Sequence, residues 1–94
     1  MVLKISKWDV AEELKTDEDI MYYLDAVLAE NDIPLLMAAL GDVARSKGMT
    51  NVARETGLGR ESLYKSLSTD GNPSFATVQK VMMSLGLRFH ISVL

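Results

Sequence analysis

Apolar residues recur three and four positions apart along most of this chain, and the pattern changes to strict alternation only at its end. Ile20, Leu24, Val27 and Leu28 are spaced for one face of a helix, predicting an element over about residues 17–30. Thr16 followed three residues later by Asp19 reads as a capping box with Asp in place of Glu. Asp17, Glu18 and Asp19 then lie in the first turn, where the helix dipole favours negative charge. Asp9 is an alternative cap, and residues 1–8 read as extended.

Asp32-Ile33-Pro34 predicts a second helix, because proline is tolerated in a first turn. Its inward stripe is Leu36, Leu40, Val43 and Ala44, and Arg45, Lys47 and Gly48 close it. Thr50 reads as the cap of a short third helix with Val52 and Ala53 inward, ended by Gly57. Arg60 to Leu67 follows as a fourth helix, with Leu63 and Leu67 four apart on its inner side. Residues 68–73, Ser-Thr-Asp-Gly-Asn-Pro, form a loop. Ser74 caps a last helix with Phe75, Val78, Val81, Met82 and Leu85 on its apolar face and Gly86 at its end. In the tail, Leu87, Phe89, Ile91 and Val93 alternate with Arg88, His90 and Ser92, a strand signal. Such a strand needs a ladder partner, either Val2 to Ile5 or the same strand of another subunit.

The most informative stretch is Thr50 to Leu67, two short helices around a glycine corner. A helix-turn-helix presents its second helix to the DNA major groove in this way. Ala53 is the small residue at the helix crossing, Gly57 permits the reversal, Leu58 plugs the corner, and Leu63 and Leu67 anchor the second helix. Arg60 has the fork that matches guanine O6 and N7. Glu61 can accept from cytosine or orient Arg60, and Ser62 can donate or accept. Lys65 and Arg54 suit phosphate, as does the Tyr64 hydroxyl, with Thr50, Asn51, Ser68 and Asn72 as weaker backbone contacts. Free backbone N–H groups near Thr50 and Gly59 add to that set. A helical pair that serves only packing is the competing reading.

Charge sharpens this division. The formal net charge is −3, but residues 1–44 carry three basic and ten acidic side chains, a balance of −7. Residues 45–65 carry Arg45, Lys47, Arg54, Arg60 and Lys65 against Glu55 and Glu61, a balance of +3. DNA responds to the local field at the docking face, so the central segment is the candidate and a dimer would double its footprint. Ninety-four residues with 48% hydrophobic content suit one domain, 1–94, with an interior built mainly of aliphatic residues and Met. Its parts read as an acidic extension over 1–32, a core over 33–86 containing the pair 50–67, and a strand over 87–94. The chain has no cysteine, no apolar run of membrane-spanning length and no signal-peptide pattern at its start, which suits a cytoplasmic protein.

Taken together, these segments resemble the HigA-like addiction-module antitoxins of the lambda-repressor-like (Xre/Cro) helix-turn-helix class. The resemblance rests on residues 17–24, Asp-Glu-Asp-Ile-Met-Tyr-Tyr-Leu, on Ala38 to Arg45, and on Gly48 to Leu58. It extends through Arg60-Glu-Ser-Leu-Tyr-Lys-Ser-Leu67, Gly71-Asn-Pro-Ser-Phe-Ala-Thr-Val78 and Leu85-Gly-Leu87. It implies an all-α, lambda-repressor-like bundle with an N-terminal helical extension, to which the alternating tail adds a short C-terminal β-strand. It also implies a homodimer that represses its own operon through operator DNA and neutralises a RelE/ParE-like toxin. Base reading would fall to Arg60, Glu61, Ser62 and Lys65. Gly59 stands where relatives usually carry Ser or Thr, which removes one side-chain oxygen from the cap of the reading helix.

Nothing in the residues points to catalysis, a metal, a cofactor, a small-molecule substrate or a membrane. The sole histidine, His90, lies on the polar side of the tail, and Glu12 and Glu13 point apart on a helix. Two other functions remain open: a non-catalytic helical protein-binding module, and a phage-type repressor without a toxin partner. Phe89, Ile91 and Val93 need cover, and pairing of the C-terminal strand across a two-fold axis would supply it. The acidic front over residues 9–32 would suit a basic toxin.

Overall fold

Local chemistry sets where each helix begins and ends. The computed structural model of the chain describes residues 13–94, so the extended opening, the cap at Asp9 and the Val2 to Ile5 pairing segment lie outside the described residues. Five helices follow one another among the described residues: α1 Asp17–Leu28, α2 Ile33–Lys47, α3 Met49–Thr56, α4 Arg60–Ser66 and α5 Phe75–Ser84. The capping box expected at Thr16 forms. The Asp19 N–H donates to Thr16 Oγ1 and the Thr16 N–H donates to Asp19 Oδ2, both at 3.0 Å. Bonds from the backbone N–H groups of Thr16 and then Lys15 hold the Asp19 carboxyl below its ordinary value. Asp32 caps α2 by accepting from the Leu35 N–H, and Ser74 caps α5 by accepting from the Thr77 N–H.

One cap differs from expectation, whereas the end of α5 at Gly86 follows it. Gly48, at φ 96°, ends α2 and also opens α3, so Thr50 is an exposed residue of the first turn and not its cap. At the end of α5, the Leu87 N–H reaches back to the Met82 carbonyl and the Gly86 N–H to that of Met83, both at 3.0 Å. This Schellman arrangement stops the helix and folds Leu87 back against the core.

α2 is the central post. Its residues 37–44 are all buried, and it touches α1, α3 and α4, while α5 packs on α3. The stripe expected on α2 is present in Leu40, Val43 and Ala44, with Leu36 half-buried. Burial extends around the helix because neighbours cover several of its sides. Ile20, Leu24 and Val27 of α1, Val52 of α3, and Val78, Val81, Met82 and Leu85 around α5 complete the interior. Asp42 is buried in this helix. It pairs with Arg45, and the Tyr23 hydroxyl of α1 donates to its Oδ2 at 3.2 Å. Burial, with the Asp42 charge second, pushes the Tyr23 phenol up to about 12. On the surface, Lys47 meets Asp17 of α1 at 2.9 Å, an exposed pair worth about 1 kcal/mol or less.

Phe75 departs from the expected inner face of α5 and is 67% exposed. Its ring meets that of Phe89 at 5.4 Å between centroids. The strand expected over 87–94 does not form in the single chain: no ladder partner stands beside it among the described residues, and residues 88–94 are exposed. No helix among the described residues is long and apolar enough to cross a membrane.

Candidate nucleic-acid interface

The corner between α3 and α4 is built by Thr56, Gly57 and Leu58. The Thr56 hydroxyl donates to the Val52 carbonyl at 2.7 Å and accepts from the Leu58 N–H at 3.3 Å. Gly57 takes the left-handed conformation at φ 74°, and its N–H donates to the Ala53 carbonyl at 2.9 Å. Leu58 is half-buried against the core, as a corner plug should be, and Ala53 packs on the core from its edge, only partly buried. Thr56 thus joins the corner residues expected from the sequence. A hydroxyl residue directly before a helix-ending glycine was the available signal.

Leu63 and Leu67 are buried beneath α4, so helical geometry turns Arg60, Glu61, Ser62, Tyr64 and Lys65 outward, and all five are exposed. The Arg60 guanidinium lies 6.0 Å from the centroid of the Tyr64 ring, near the outer limit of a cation–π contact. Among the described residues, no ion pair joins Glu61 to Arg60, and the Tyr64 ring is the neighbour found beside this guanidinium. On α3, Thr50, Asn51 and Arg54 are exposed, and the Arg54 guanidinium donates to the Asn51 side-chain oxygen. Gly59 opens α4 in an extended conformation with no side-chain cap bond. Ser68 is half-buried, and its hydroxyl donates to the Lys65 carbonyl at 2.9 Å, which leaves it poorly placed to donate elsewhere.

Beside α4 lies an open cleft of about 280 Å³ lined by Ser62, Lys65, Ser66, Asp70, Gly71 and Asn72. Gly71 creates it by close approach: a methyl group there would overlap the Ser66 and Lys65 carbonyls. The loop over residues 68–73 is thereby held against the end of α4, with Asn72 near Lys65. Arg54, Arg60 and Lys65 thus project from one small helical pair, mixed with neutral hydrogen-bonding groups. Such a face can contact phosphate and base edges together. The residues singled out for dimerisation lie elsewhere: Phe89 rests on Phe75, while Ile91 and Val93 are almost fully exposed.

The family model described as "probable addiction module antidote protein" matches residues 4–93. The chain belongs to this antidote family. An uncharacterized protein of Haemophilus influenzae is 48% identical over 91 residues, covering 97% of this chain and 94% of that relative. No solved structure matches the chain. Membership gives the antidote an antitoxin role and implies a toxin partner of some kind.

Proposed function

We propose that this antidote is the antitoxin of a type II toxin–antitoxin module, binding operator DNA through α3 and α4 as a helix-turn-helix. In this reading the bundle is lambda-repressor-like and HigA-like, and the protein acts as a homodimer in the cytoplasm. It represses its own operon and neutralises a RelE/ParE-like toxin. The observation that carries the reading is the exposed row Arg60, Glu61, Ser62, Tyr64 and Lys65 above the buried pair Leu63 and Leu67.

Arg60 is the principal base reader, with Glu61, Ser62 and Lys65 beside it. Arg54, Thr50, Asn51, Tyr64 and the Gly59 backbone meet phosphates, and Ser68 contributes least because its hydroxyl is already engaged. Few positive groups serve each copy, so two copies on half-sites about 34 Å apart supply the affinity. Phe75 and Phe89, with Ile91 and Val93, are the apolar surface for that pairing. In a dimer, the tail can gain the ladder partner it lacks in one chain.

A mobility shift on the DNA upstream of the protein's own gene tests this directly. Native protein should retard that fragment at concentrations far below those needed for scrambled DNA, and less strongly as salt rises. Equal retardation of both fragments would leave a protein that only sequesters its partner, a reading that the net charge of −3 favours.

A further inference from the structure

The outward side of α1 carries an apolar patch that the DNA-binding reading does not use. Ile20, Leu24 and Val27 point inward, so helical spacing turns Met21, Tyr22, Asp25 and Leu28 toward solvent, and all four are exposed. Tyr22 is 65% exposed. Residues 29–32 form a short connection, which brings the end of α1 beside the start of α2. There Ile33 is also 65% exposed, and Leu35 is exposed too. Single exposed apolar side chains are ordinary, but several on consecutive turns rimmed by polar groups mark interaction surfaces.

The rim is chiefly acidic, with Lys47 of α2 the cation at one end, paired to Asp17. Glu18, Asp25 and Glu30 are exposed around the patch, and no Lys, Arg or His occurs from Thr16 through Ala44. Nucleic acid is repelled by such a field, and a basic protein is drawn to it. The basic residues of α3 and α4 belong to other helices, so one chain presents two surfaces of opposite preference.

We propose that this face of α1 and the α1–α2 turn docks the toxin, through Tyr22, Met21, Leu28 and Ile33 at its centre and Glu18 and Asp25 at its rim. The occupant is a protein whose contact surface is apolar at its middle and basic around it. This rests on the antitoxin reading above, and it goes beyond it by naming the surface and the partner's chemistry. Tyr22 is the anchor, since exposed tyrosines dominate interface energetics more often than aliphatic neighbours.

The test uses the full chain and the purified product of the reading frame adjacent to its gene, with binding followed by calorimetry. Tyr22→Ala should weaken binding about tenfold or more. Glu18→Lys with Asp25→Lys should slow association most strongly at low salt. Tyr22→Ala should keep the native melting temperature and native operator retardation, since its ring is exposed, and the double lysine variant, which puts positive charge into the first turn of α1, should keep native helical content. Native chain that fails to bind the neighbouring product would defeat the antitoxin reading and this proposal with it. Native binding that persists unchanged in both variants would overturn the surface assignment alone. Loss of self-association in Tyr22→Ala, with toxin binding intact, would give the patch to a second copy and likewise overturn it.

Discussion

Gly41 of α2 lies directly beneath the backbone carbonyl of Leu67, at the end of α4, with no space for a methyl group between them. This contact sets the height at which α4 rides on the central helix, and therefore how far Arg60 and Lys65 project. Gly41→Ala measures it. Alanine in a helix interior normally gains about 1 kcal/mol over glycine. Here the added methyl would press on backbone, and overpacking of that kind costs about 1–3 kcal/mol. A net loss of about 1–2 kcal/mol in urea unfolding is expected. A stabilised variant would show that α4 moves away freely.

Gly57 supplies the contrast. Nothing lies within 4 Å of a methyl built there, but φ is 74°. Gly57→Ala should therefore cost about 1–2 kcal/mol through backbone strain alone. Gly57→Asn should cost less, because asparagine tolerates the left-handed region. Equal losses for Ala and Asn in thermal melts would argue against a conformational cause.

The burial of Tyr23, beside the Asp42 carboxylate, makes stability sensitive to alkali. Its phenol is raised from 10.0 to about 12 in the folded chain. A raised folded value means the contribution is complete below the unfolded pKa and disappears as pH climbs through the folded one. The ring is only half-buried, so solvent screening reduces the effect to about 1 kcal/mol. Stability should fall between pH 10 and 12 in the native chain, and Tyr23→Phe should flatten that fall. Parallel pH profiles for the two proteins would remove Asp42 and Tyr23 as its source.

Phe75 and Phe89 carry the pairing of subunits in this account. Phe89→Ser should move the protein toward monomer in sedimentation equilibrium while leaving its helical content unchanged. A monomeric native chain, or an unaltered dimer in the variant, would contradict the assignment. In the proposed dimer two half-sites bind together, so its loss should also weaken operator affinity well beyond any local effect.

How much of this was legible in the sequence follows from the range of the forces involved. The caps at Thr16, Asp32 and Ser74 and the reversal at Gly57 were legible because each depends on neighbours within a few residues. Thr50 is a capping residue by type, but Gly48, two residues earlier, already begins the helix. Phe75 was placed inside because its spacing to Val78 and Val81 fits the apolar stripe. Periodicity cannot say that a distant ring, Phe89, will share the surface with it. The burial of Asp42 and of nearly the whole middle of α2 is a tertiary outcome, requiring α1, α3 and α4 around one helix. At the interface, the outward positions of α4 followed from Leu63 and Leu67, whereas the Arg60–Tyr64 contact and the cleft at Asn72 required coordinates.

Arg60 is the proposed principal base reader, and Arg54 the proposed phosphate contact. Fluorescence anisotropy should compare the native chain, Arg60→Ala and Arg54→Ala on the operator and on operators with single base-pair changes. Arg60→Ala should lose about 1–3 kcal/mol and cease to discriminate at one position in each half-site. Arg54→Ala should weaken all the sequences alike and lower the salt dependence. Native discrimination at every position in the Arg60→Ala protein would contradict the account.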